Sequence, residues 1–540
     1  MLNQKYGVVY TPNSLATFVA SLLNRFSDNK LKENAIILDP SSGECALLKA
    51  AKNILGKNNK FFGIDVDSEV INRTKKEFDV IHNDTIIPKN TKRTAESYWK
   101  TIFRNVDAII ANPPWSSQKI YKKEELIKAG YSLIEGQYDS YVLFIELSYK
   151  LLKEGGIMAF IIPDSIFDSQ NENLRKFLIK NTQIKAIARL GEKLFEEVNR
   201  ATTVIVCKKS IPNADTMTEC FRLSTENRKV YLKENNPLLS FYCKGVHKVS
   251  QSRFAKNNDY LFDVDTRDYE EKLLKKITDQ SIEWKKEFTF GRGVEISKSG
   301  KIVYCPCCNM AQGYSKQHLT TGYKICLHCR KKISITPKTI SNVITDKKEN
   351  GTKPIYVGEH IQRYITNGNS YIRENIEGIN YKTSGLYDSP KILIRKTGLG
   401  IYATIDYLGM YTSQTVYILK NITNKHVPLE YYLALINSRV VYYYYLKTYG
   451  ENEWKSHPYL TKQIIFNLPL KQYIGDDIDT QIVNCSKKLI KDYDRATDLQ
   501  LEKLIMKKYN LNLEEQGIIS KEINNLPNLS AINNMKLQVS

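Results

Sequence analysis

Long uncharged apolar runs are missing from this chain. No stretch of about 20 such residues occurs, and the opening MLNQKY lacks the apolar core of a secretory signal. We therefore expect a soluble, intracellular protein with no membrane partner. The cysteine pattern does not fit a disulfide framework, because ten cysteines are few for 540 residues and five of them crowd between Cys305 and Cys329. That crowding favours metal binding.

The chain has fewer acidic than basic residues: it contains 58 Asp and Glu and 79 Lys and Arg, which gives a formal net charge of +21. The excess of basic residues is largest in the middle of the chain. Residues 1–210 contain 31 basic and 24 acidic residues, residues 211–470 contain 38 and 24, and residues 471–540 contain 10 and 10. For a nucleic-acid partner, release of counterions from the phosphates would favour binding by the middle segment. A solvated basic surface explains the charge equally well, so charge alone does not decide.

Strand-like and helix-like segments alternate through the first two hundred residues. Short β-rich runs occur at 35–38, 61–64, 106–111, 157–162, 184–190 and 202–207. Amphipathic stretches between them, such as 46–55 and 171–181, complete the rhythm of a parallel, doubly wound α/β sheet. The pattern lapses in the polar stretch 210–215, so we place the end of this domain at residue 212.

Two further parts are expected beyond residue 212. Residues 213–470 contain irregularly spaced, tyrosine-rich strands, which predict a mixed α+β domain. Residues 471–540 show helical periodicity at Ile482, Leu489, Leu501 and Leu504, which predicts a helical C-terminal segment.

A turn with one glycine follows the first predicted strand. Residues 38–45 read LDPSSGEC and open a helix, where exposed backbone amides let a ligand approach closely. An ordinary strand-to-helix turn would explain this segment alone, but an acidic residue ends the next strand, where carboxylates bind ribose hydroxyls. We also expect Asp84, after a third strand, to bind the adenine amino group of a nucleoside cofactor. The cofactor-binding candidates from this reasoning are Asp39, Ser41, Gly43, Asp65, Val66 and Asp84.

A further apolar strand ends abruptly in an amide, two prolines and an aromatic ring, as residues 108–115 read AIIANPPW. An amino nitrogen on a purine ring is a poor nucleophile, because its lone pair is delocalised. The Asn112 side-chain oxygen and the Pro113 carbonyl can accept both amino hydrogens and make this nitrogen more tetrahedral for attack on a sulfonium methyl. Pro114 helps to fix the loop, and Trp115 would stack on a base flipped out of duplex DNA. The alternative is a tight turn after a buried strand.

Residues 6–210 resemble the catalytic domain of gamma-class N6-adenine DNA methyltransferases, most closely the TaqI-like group. The resemblance is carried, in the family's order, by GVVYTP at 7–12, DPSSG at 39–43, Asp65 and NPPW at 112–115. It implies a Rossmann-like class I methyltransferase fold that binds S-adenosylmethionine. It also implies that Tyr10, Thr11 and Pro12 contact this cofactor and that Phe195 meets the flipped adenine.

Two features depart from the family pattern: SSGE replaces a glycine-rich loop at 41–44, and the polar connection at 87–105 is long. Neither removes a catalytic group. A weaker resemblance over 285–470, to the target-recognition domain of the same group, is carried by FGRGV at 290–294 and KILIRKT at 391–397. Arg292 and Arg395 are therefore candidate DNA contacts, although an amphipathic strand with solvated cations explains either one alone.

Two Cys-x-x-Cys pairs stand 17 residues apart, and this spacing predicts a zinc ribbon over residues 303–332. The predicted ligands are Cys305, Cys308, Cys326 and Cys329. Four thiolates leave no open coordination position, so the Zn2+ would be structural. Cys307, His318 and His328 stay open as substitute ligands, and an unmetallated cluster is the alternative.

Together these features predict a site-specific N6-adenine methyltransferase acting on double-stranded DNA, typical of restriction-modification systems. We expect no fused nuclease, so a restriction endonuclease partner would be separately encoded. Rival hypotheses keep the chemistry but change the acceptor to an RNA adenine or cytosine N4, although cytosine enzymes more often carry serine in place of Asn112. A further alternative is a catalytically inactive zinc-containing DNA-binding protein. The presence of Asp39, Asp65 and Asn112, the candidate cofactor-binding and catalytic residues, argues against it.

Overall fold

The computed structural model describes the chain in segments: residues 11–28, 31, 33–89, 91–115, 121–136, 139–195, 200–234, 237–296, 300–422, 427–450, 459–530 and 532–537. It divides into two compact units, Met1–Glu271 with Leu446–Ser456, and Lys272–Tyr445 with His457–Ser540. The first unit extends beyond the expected boundary at residue 212. A compact unit need not coincide with a functional domain. The division of the chain into three domains therefore stays a prediction.

The first unit is built on one large sheet. Its described strands are β1 (Ile36–Asp39), β2 (Lys60–Asp65), β3 (Asp79–His82), β4 (Val106–Ala111), β5 (Leu152–Pro163), β6 (Gln183–Gly191), β7 (Thr202–Lys208), β8 (Met217–Arg222) and β9 (His247–Ser250). Their spatial order is β3-β2-β1-β4-β5-β7-β6-β8-β9. Because β1 pairs in parallel with both β2 and β4, the carboxyl ends of these three strands meet at one edge of the sheet.

The sheet is mixed and not wholly parallel as expected. Strand β7 runs antiparallel to both β5 and β6, and β9 runs antiparallel to β8. The connection from β6 to β7 is about ten residues, shorter than the dozen or more that a parallel crossover needs. The alternation of apolar runs located these strands but carried no information about their direction.

Helices cover both faces of this sheet. In the first unit they are α1 (Asn13–Phe26), α2 (Ala46–Leu55), α3 (Ser68–Thr74), α4 (Ala95–Ile102), α5 (Lys123–Lys128), α6 (Tyr141–Leu151), α7 (Glu172–Asn181), α8 (Thr225–Glu234), α9 (Leu238–Gly245) and α10 (Gln251–Lys256). Successive β4 residues separate into two cores, since Ile109 packs with buried residues of α6 and Ile110 packs with those of α1 and α2. The two-residue period of a strand produces this separation, and both faces are apolar because both are buried.

The second unit contains several smaller sheets and a set of helices. Its strands are β10 (Phe288–Arg292), β11 (Lys301–Tyr304), β12 (Ala311–Gln312), β13 (Tyr323–Ile325), β14 (Lys332–Ser334), β15 (Ile340–Asn342), β16 (Ile344–Thr345), β17 (Thr352–Tyr356), β18 (Ser370–Arg373), β19 (Lys391–Arg395), β20 (Ala403–Asp406), β21 (Tyr411–Thr412) and β22 (Val416–Asn421). The described strands form sheets in the orders β10-β22-β19-β20, β16-β18-β17-β21, β12-β11-β15 and β13-β14.

The helices of this part are α11 (Asp268–Thr278), α12 (Trp284–Glu287), α13 (Lys316–Thr321), α14 (Leu429–Ile436), α15 (Arg439–Tyr449), α16 (Lys462–Phe466), α17 (Asp477–Lys491), α18 (Arg495–Lys508) and α19 (Leu513–Asn524). Helices α11 and α15 run across the division between the units. The helices predicted for the C-terminal segment are present as α17 to α19. Among the described residues, no helix has the length and apolar character needed to cross a bilayer.

A buried charge network joins α18 to two other segments of the second unit. The Asp498 carboxylate accepts hydrogen bonds from Arg363 at 2.9 Å and Arg439 at 2.7 Å, and all three side chains are at most 1% exposed. Glu502 accepts from the backbone and side chain of Arg439. Burial opposes ionisation of Asp498, but the two guanidinium groups outweigh it and hold the pKa of that carboxyl well below its usual range.

We predict that Asp498→Ala lowers the free energy of unfolding by about 3 to 5 kcal/mol, because it leaves two buried guanidinium groups without their shared carboxylate. Urea unfolding followed by circular dichroism measures this loss. The matched control is Asp492→Ala, which removes an exposed carboxylate and should change stability by less than about 0.5 kcal/mol. Equal losses in the two variants would contradict a stabilising role of the network.

Candidate active site

A cavity of about 240 Å3 opens at the sheet edge where β1, β2 and β4 end. Segments far apart in the sequence meet there, because parallel strands bring their carboxyl ends together. The structure places these sequence-assigned residues in the cavity wall: Thr11, Asp39, Ser41, Gly43, Asp65, Val66, Asp84, Asn112, Pro113, Pro114 and Trp115.

The loop after β1 is held against the end of β2. Gly43 has a left-handed backbone, φ +45°, and its amide donates to Asp65 Oδ2 at 2.8 Å. Ser42 lies so close to β2 that a Cβ on Gly63 would stand 2.7 Å from Ser42 Oγ. Glycine at 63 therefore permits the close approach of the loop, and the second Asp65 oxygen accepts from the Asp67 amide at 2.9 Å.

Two carboxyl groups at this edge lie in a weakly solvated environment. Asp39 is 1% exposed, and burial raises its pKa to about 8 despite a 3.0 Å hydrogen bond from the Ser41 amide. Burial also raises the pKa of Asp65, against the hydrogen bonds from the Asp67 and Gly43 amides. Strongly shifted carboxyl groups that line a cavity are typical of ligand-binding sites, where a bound group supplies the missing compensation.

Asp84 is fixed by its own loop and by a tyrosine from across the cavity. Its Oδ1 accepts from the Ile86 and Ile87 amides at 2.9 and 3.0 Å. The Tyr121 hydroxyl lies 3.0 and 2.9 Å from Asp84 Oδ1 and Oδ2. Among the described residues, Oδ2 accepts a hydrogen bond from Tyr121 alone, so it retains acceptor capacity for an amino group.

Most polar groups of the loop after β4 have a hydrogen-bond partner elsewhere in the chain. Asn112 Nδ2 donates to Thr11 Oγ1 at 3.0 Å, which makes Oδ1 the acceptor end of that amide. The Pro114 carbonyl accepts from Ser140 Oγ, and the Trp115 carbonyl accepts from Arg200 at 2.6 Å. No described residue donates to the Pro113 carbonyl, although its neighbours in the loop are satisfied.

The two predicted base-binding aromatic residues contact each other. The Trp115 and Phe195 rings meet edge to face, with centroids 5.2 Å apart and an interplanar angle of 89°. Trp115 also donates from Nε1 to the Ile161 carbonyl at 3.3 Å. Trp115 lines the cavity and Phe195 packs behind it, so the contact of Phe195 with a flipped adenine stays a prediction.

The remaining sequence-assigned residues lie elsewhere. Tyr10 falls outside the described residues, and Pro12 does not line the cavity but caps α1, where its carbonyl accepts from the Ala16 amide at 2.9 Å. In the second unit, Arg292 is ion-paired with Glu295 at 2.8 Å and Arg395 Nε donates to the Thr397 carbonyl at 2.6 Å.

Sequence reasoning missed three residues that support the cavity: Tyr121, Ser140 and Arg200. Ser140 stands in the segment DSY at 139–141, directly before α6. Tyr121 and Arg200 lie in loops without a motif. Only the folded chain reveals their contacts, because the partners of Tyr121 and Arg200 are 37 and 85 residues away along the chain.

The four predicted metal ligands form a tight cluster in the second unit. The ligand atoms of Cys305, Cys308, Cys326 and Cys329 all lie within 4.8 Å of one another. The Sγ atoms of Cys305 and Cys329 are 3.5 Å apart, and those of Cys308 and Cys326 are 3.7 Å apart.

Donors surround the Cys326 sulfur in this cluster. Gln312 Nε2 donates to it at 2.9 Å, and the backbone amides of His328 and Cys329 each lie 3.4 Å away. Hydrogen bonds of this kind suit a thiolate, which is the form that binds a metal. The substitute ligands Cys307, His318 and His328 are not part of the cluster formed by the described residues.

Two family models match separate parts of the chain. One is described as N-6 DNA Methylase and matches residues 2–287. The other is described as a TaqI-like C-terminal specificity domain and matches residues 353–470.

Curated relatives match the chain in part. The type II methyltransferase M.VspI of Vibrio sp. (strain 343) is 26% identical over 246 residues, which are 44% of this chain and 57% of that protein. M.HincII of Haemophilus influenzae is 29% identical over 205 residues, 37% of this chain and 36% of that protein. Protein YtxK of Bacillus subtilis (strain 168), named as uncharacterized, is 29% identical over 194 residues, 34% of this chain and 54% of that protein. The chain therefore spans roughly a third to just over half of the length of these relatives.

Solved structures share the fold over most of the chain. The type ISP restriction-modification enzyme LlaBIII bound to DNA superposes with a TM-score of 0.51 at 12% identity, over 90% of this chain and 39% of that one. The DrdV–DNA complex superposes with a TM-score of 0.50 at 14% identity, over 90% and 57%. At such identities the likeness concerns the fold alone.

The shifted pKa of Asp39 predicts a pH-dependent stability. Its value of about 8 in the folded chain lies above the ordinary 3.8, so the folded state holds the proton more tightly. The unfolding free energy should therefore fall as pH rises from about 4 to 8, by at most about 1.4 kcal/mol per pH unit from this group. Asp39→Asn should remove that contribution.

Urea unfolding of the ligand-free chain at several pH values between about 5 and 8 measures the effect as wild type minus variant. Other titrating groups are present in both proteins and cancel in the difference. Asp79→Asn, at an exposed carboxylate, is the matched control and should keep the wild-type slope. Parallel curves for wild type and Asp39→Asn would show that burial does not shift this carboxyl.

Proposed function

The chain belongs to the N-6 DNA methylase family, and from this premise we propose that it transfers a methyl group from S-adenosylmethionine to N6 of adenine in duplex DNA. The predicted class I methyltransferase fold and C-terminal recognition domain are confirmed, although the large sheet is mixed where a parallel one was expected. The observation that carries the proposal is the acceptor pair formed by Asn112 and the Pro113 carbonyl in the same cavity wall as Asp39 and Asp65.

The polar groups of the cavity fit S-adenosylmethionine. Asp65, at the end of β2, would accept hydrogen bonds from the ribose hydroxyls. Asp84 Oδ2 would accept from the adenine amino group, while Tyr121 keeps this carboxylate oriented. The amino acid end of the cofactor would lie along the loop 39–43, where its ammonium group would favour ionisation of the buried Asp39. When bound, the cofactor supplies an electrophilic sulfonium methyl.

The loop after β4 would activate the target nitrogen. Asn112 Oδ1 and the Pro113 carbonyl would accept the two amino hydrogens and localise the lone pair on N6. Attack by N6 would form the new N–C bond, the electron pair of the broken C–S bond would stay on sulfur, and the methylated nitrogen would release one proton to solvent. Thr11 is a positioning residue in this scheme, because its hydroxyl binds the nitrogen end of the Asn112 amide.

Trp115 would receive the flipped base on the ring face that lines the cavity, which offsets part of the stacking lost from the duplex. Phe195 would act through its edge contact with Trp115, with direct contact to the base requiring a ring movement. The region matched by the specificity-domain model would supply sequence recognition, with Arg292 and Arg395 as candidate contacts. A separately encoded restriction endonuclease is the proposed partner.

The cysteine cluster fits a structural Zn2+ with four thiolate ligands. Gln312 supports this assignment, because its amide nitrogen donates to Cys326 Sγ while its oxygen accepts from the Leu327 amide. Outer hydrogen bonds of this kind hold metal ligands in place. Residues 303–332 would therefore fold as a metal-stabilised ribbon with no catalytic task.

The reaction is tested by incubating the purified chain with labelled S-adenosylmethionine and unmethylated mixed-sequence DNA, followed by mass analysis of the nucleosides. We expect N6-methyladenine from the wild type. Asn112→Ala should lower the rate at least about a hundredfold, because it removes a hydrogen-bond acceptor that acts on the developing charge. The matched control, Asn53→Ala on the exposed face of α2, should keep the wild-type rate.

Other products would change the conclusion in distinct ways. N4-methylcytosine would move the acceptor to cytosine, and methylation of RNA alone would move the substrate class. A folded chain that binds the cofactor but yields no modified nucleoside would contradict the proposal and favour an inactive DNA-binding protein.

The metal is tested by elemental analysis of chain purified from zinc-supplemented cells. We expect about one zinc ion per chain, lost together with thermal stability in Cys326→Ser. Cys243→Ser, at an exposed cysteine outside the cluster, should retain the metal and the stability. Wild-type chain that is folded, zinc-free and has all four cluster thiols titratable would refute the zinc assignment.

A further inference from the structure

The ribbon, defined here as residues 301–342, lies between the two family matches, which end at residue 287 and begin again at residue 353. It has a small core of its own, in which Cys305 and Cys326 pack with Val303, Ile333 and Ile335. Neither matched family therefore explains what this segment contributes. Its surface must be interpreted from its own residues.

Charge separates the ribbon from the rest of the chain. Residues 301–342 contain seven Lys and Arg and no Asp or Glu, although acidic residues make up more than a tenth of the whole sequence. A Zn2+ ion with four thiolates would contribute a net charge of −2, so the segment would remain strongly cationic. Without acidic residues it cannot satisfy its own cations by ion pairing.

One face of the hairpin β13–β14 is exposed and carries one cation, Lys332. The register pairs Ile325 with Lys332 and Tyr323 with Ser334, so these four residues share a face opposite Lys324 and Ile333. All four are exposed, and Lys332 Nζ lies 4.2 Å from the centroid of the Tyr323 ring.

The metal-binding turn places further cations beside this face. Arg330 and Lys331 follow Cys329 directly, and Lys338 lies beyond β14, all with exposed side chains. Among the described residues, none of these three cations takes part in an ion pair. Leu327, in the same turn as Arg330, is 70% exposed, so this surface carries an apolar side chain beside its cations.

We propose that the ribbon binds the sugar-phosphate backbone of duplex DNA independently of base sequence, and this inference rests on DNA being the substrate. Lysine side chains neutralise phosphates as mobile point charges, and most phosphate contacts position a protein without reading sequence. Lysine is depleted at protein–protein interfaces, so a surface rich in lysine and lacking acids fits DNA better than a protein partner.

The test compares two four-site variants of the full, zinc-loaded chain. The ribbon variant carries Arg330→Gln, Lys331→Gln, Lys332→Gln and Lys338→Gln. The tail variant carries Lys487→Gln, Lys491→Gln, Lys503→Gln and Lys521→Gln, which removes the same charge from exposed sites on α17, α18 and α19. Zinc content and melting temperature are measured first, so that misfolding is recognised.

Binding to a fluorescent mixed-sequence duplex is then titrated at several salt concentrations between about 50 and 200 mM. The slope of log K against log salt should become shallower by about 0.9 for each phosphate that the variant no longer neutralises, up to about 3.6 in the ribbon variant. The affinity at low salt should fall on the order of tenfold or more. The tail variant should keep a slope close to wild type.

An unchanged slope in the folded ribbon variant, or equal changes in both variants, would overturn the proposal. A loss of affinity for an acidic peptide with no loss for the duplex would overturn it in favour of a protein partner. The outcome is independent of the methylation assay. Salt-dependent binding through the ribbon without N6-methyladenine would leave this inference standing while the proposed reaction fails.

Discussion

Parallel pairing of β1 with both β2 and β4 is the constraint on which the site depends. The register places Asp39 beside Gly63 on one side and Leu38 beside Ile109 on the other. A one-residue slip would turn every side chain of β1 to the opposite face and separate Asp39 from its loop. The apolar cores on both faces of the sheet oppose such a slip, so core packing holds the cofactor loop and the NPPW loop at one edge.

Two buried carboxylates show how the chain uses charge in opposite ways. Asp498 is compensated by Arg363 and Arg439, and its pKa lies well below the usual range. Asp39 is equally inaccessible, but its close partner among the described residues is the uncharged Ser41, and burial raises its pKa to about 8. Complete compensation suits a structural role, whereas a carboxyl without a counter-charge suits a site that receives a cationic ligand.

The ribbon lies between the two family matches and has a small core of its own. Five buried residues are too few to hold a fold by hydrophobic burial alone, which is why a cluster of four cysteines is physically reasonable there. The same segment is exposed, cationic and free of acidic residues. Its stability and its surface chemistry therefore have different sources, since the metal would fix the fold and leave the outer side chains available for binding.

The sequence by itself identified the candidate catalytic loop, the candidate cofactor loop and the four clustered cysteines, because each is a short segment whose residues are adjacent or regularly spaced. It also located the strands of the catalytic sheet, since buried strands are continuous apolar runs. Only the tertiary structure decided the antiparallel direction of β7, the pairing of Tyr121 with Asp84, and the bond from Asn112 to Thr11, which spans 101 positions. It also placed Phe195 against Trp115 and outside the cavity wall. The physical reason is common to all four: local patterns record periodicity and burial, whereas contacts between distant segments depend on how the whole sheet packs.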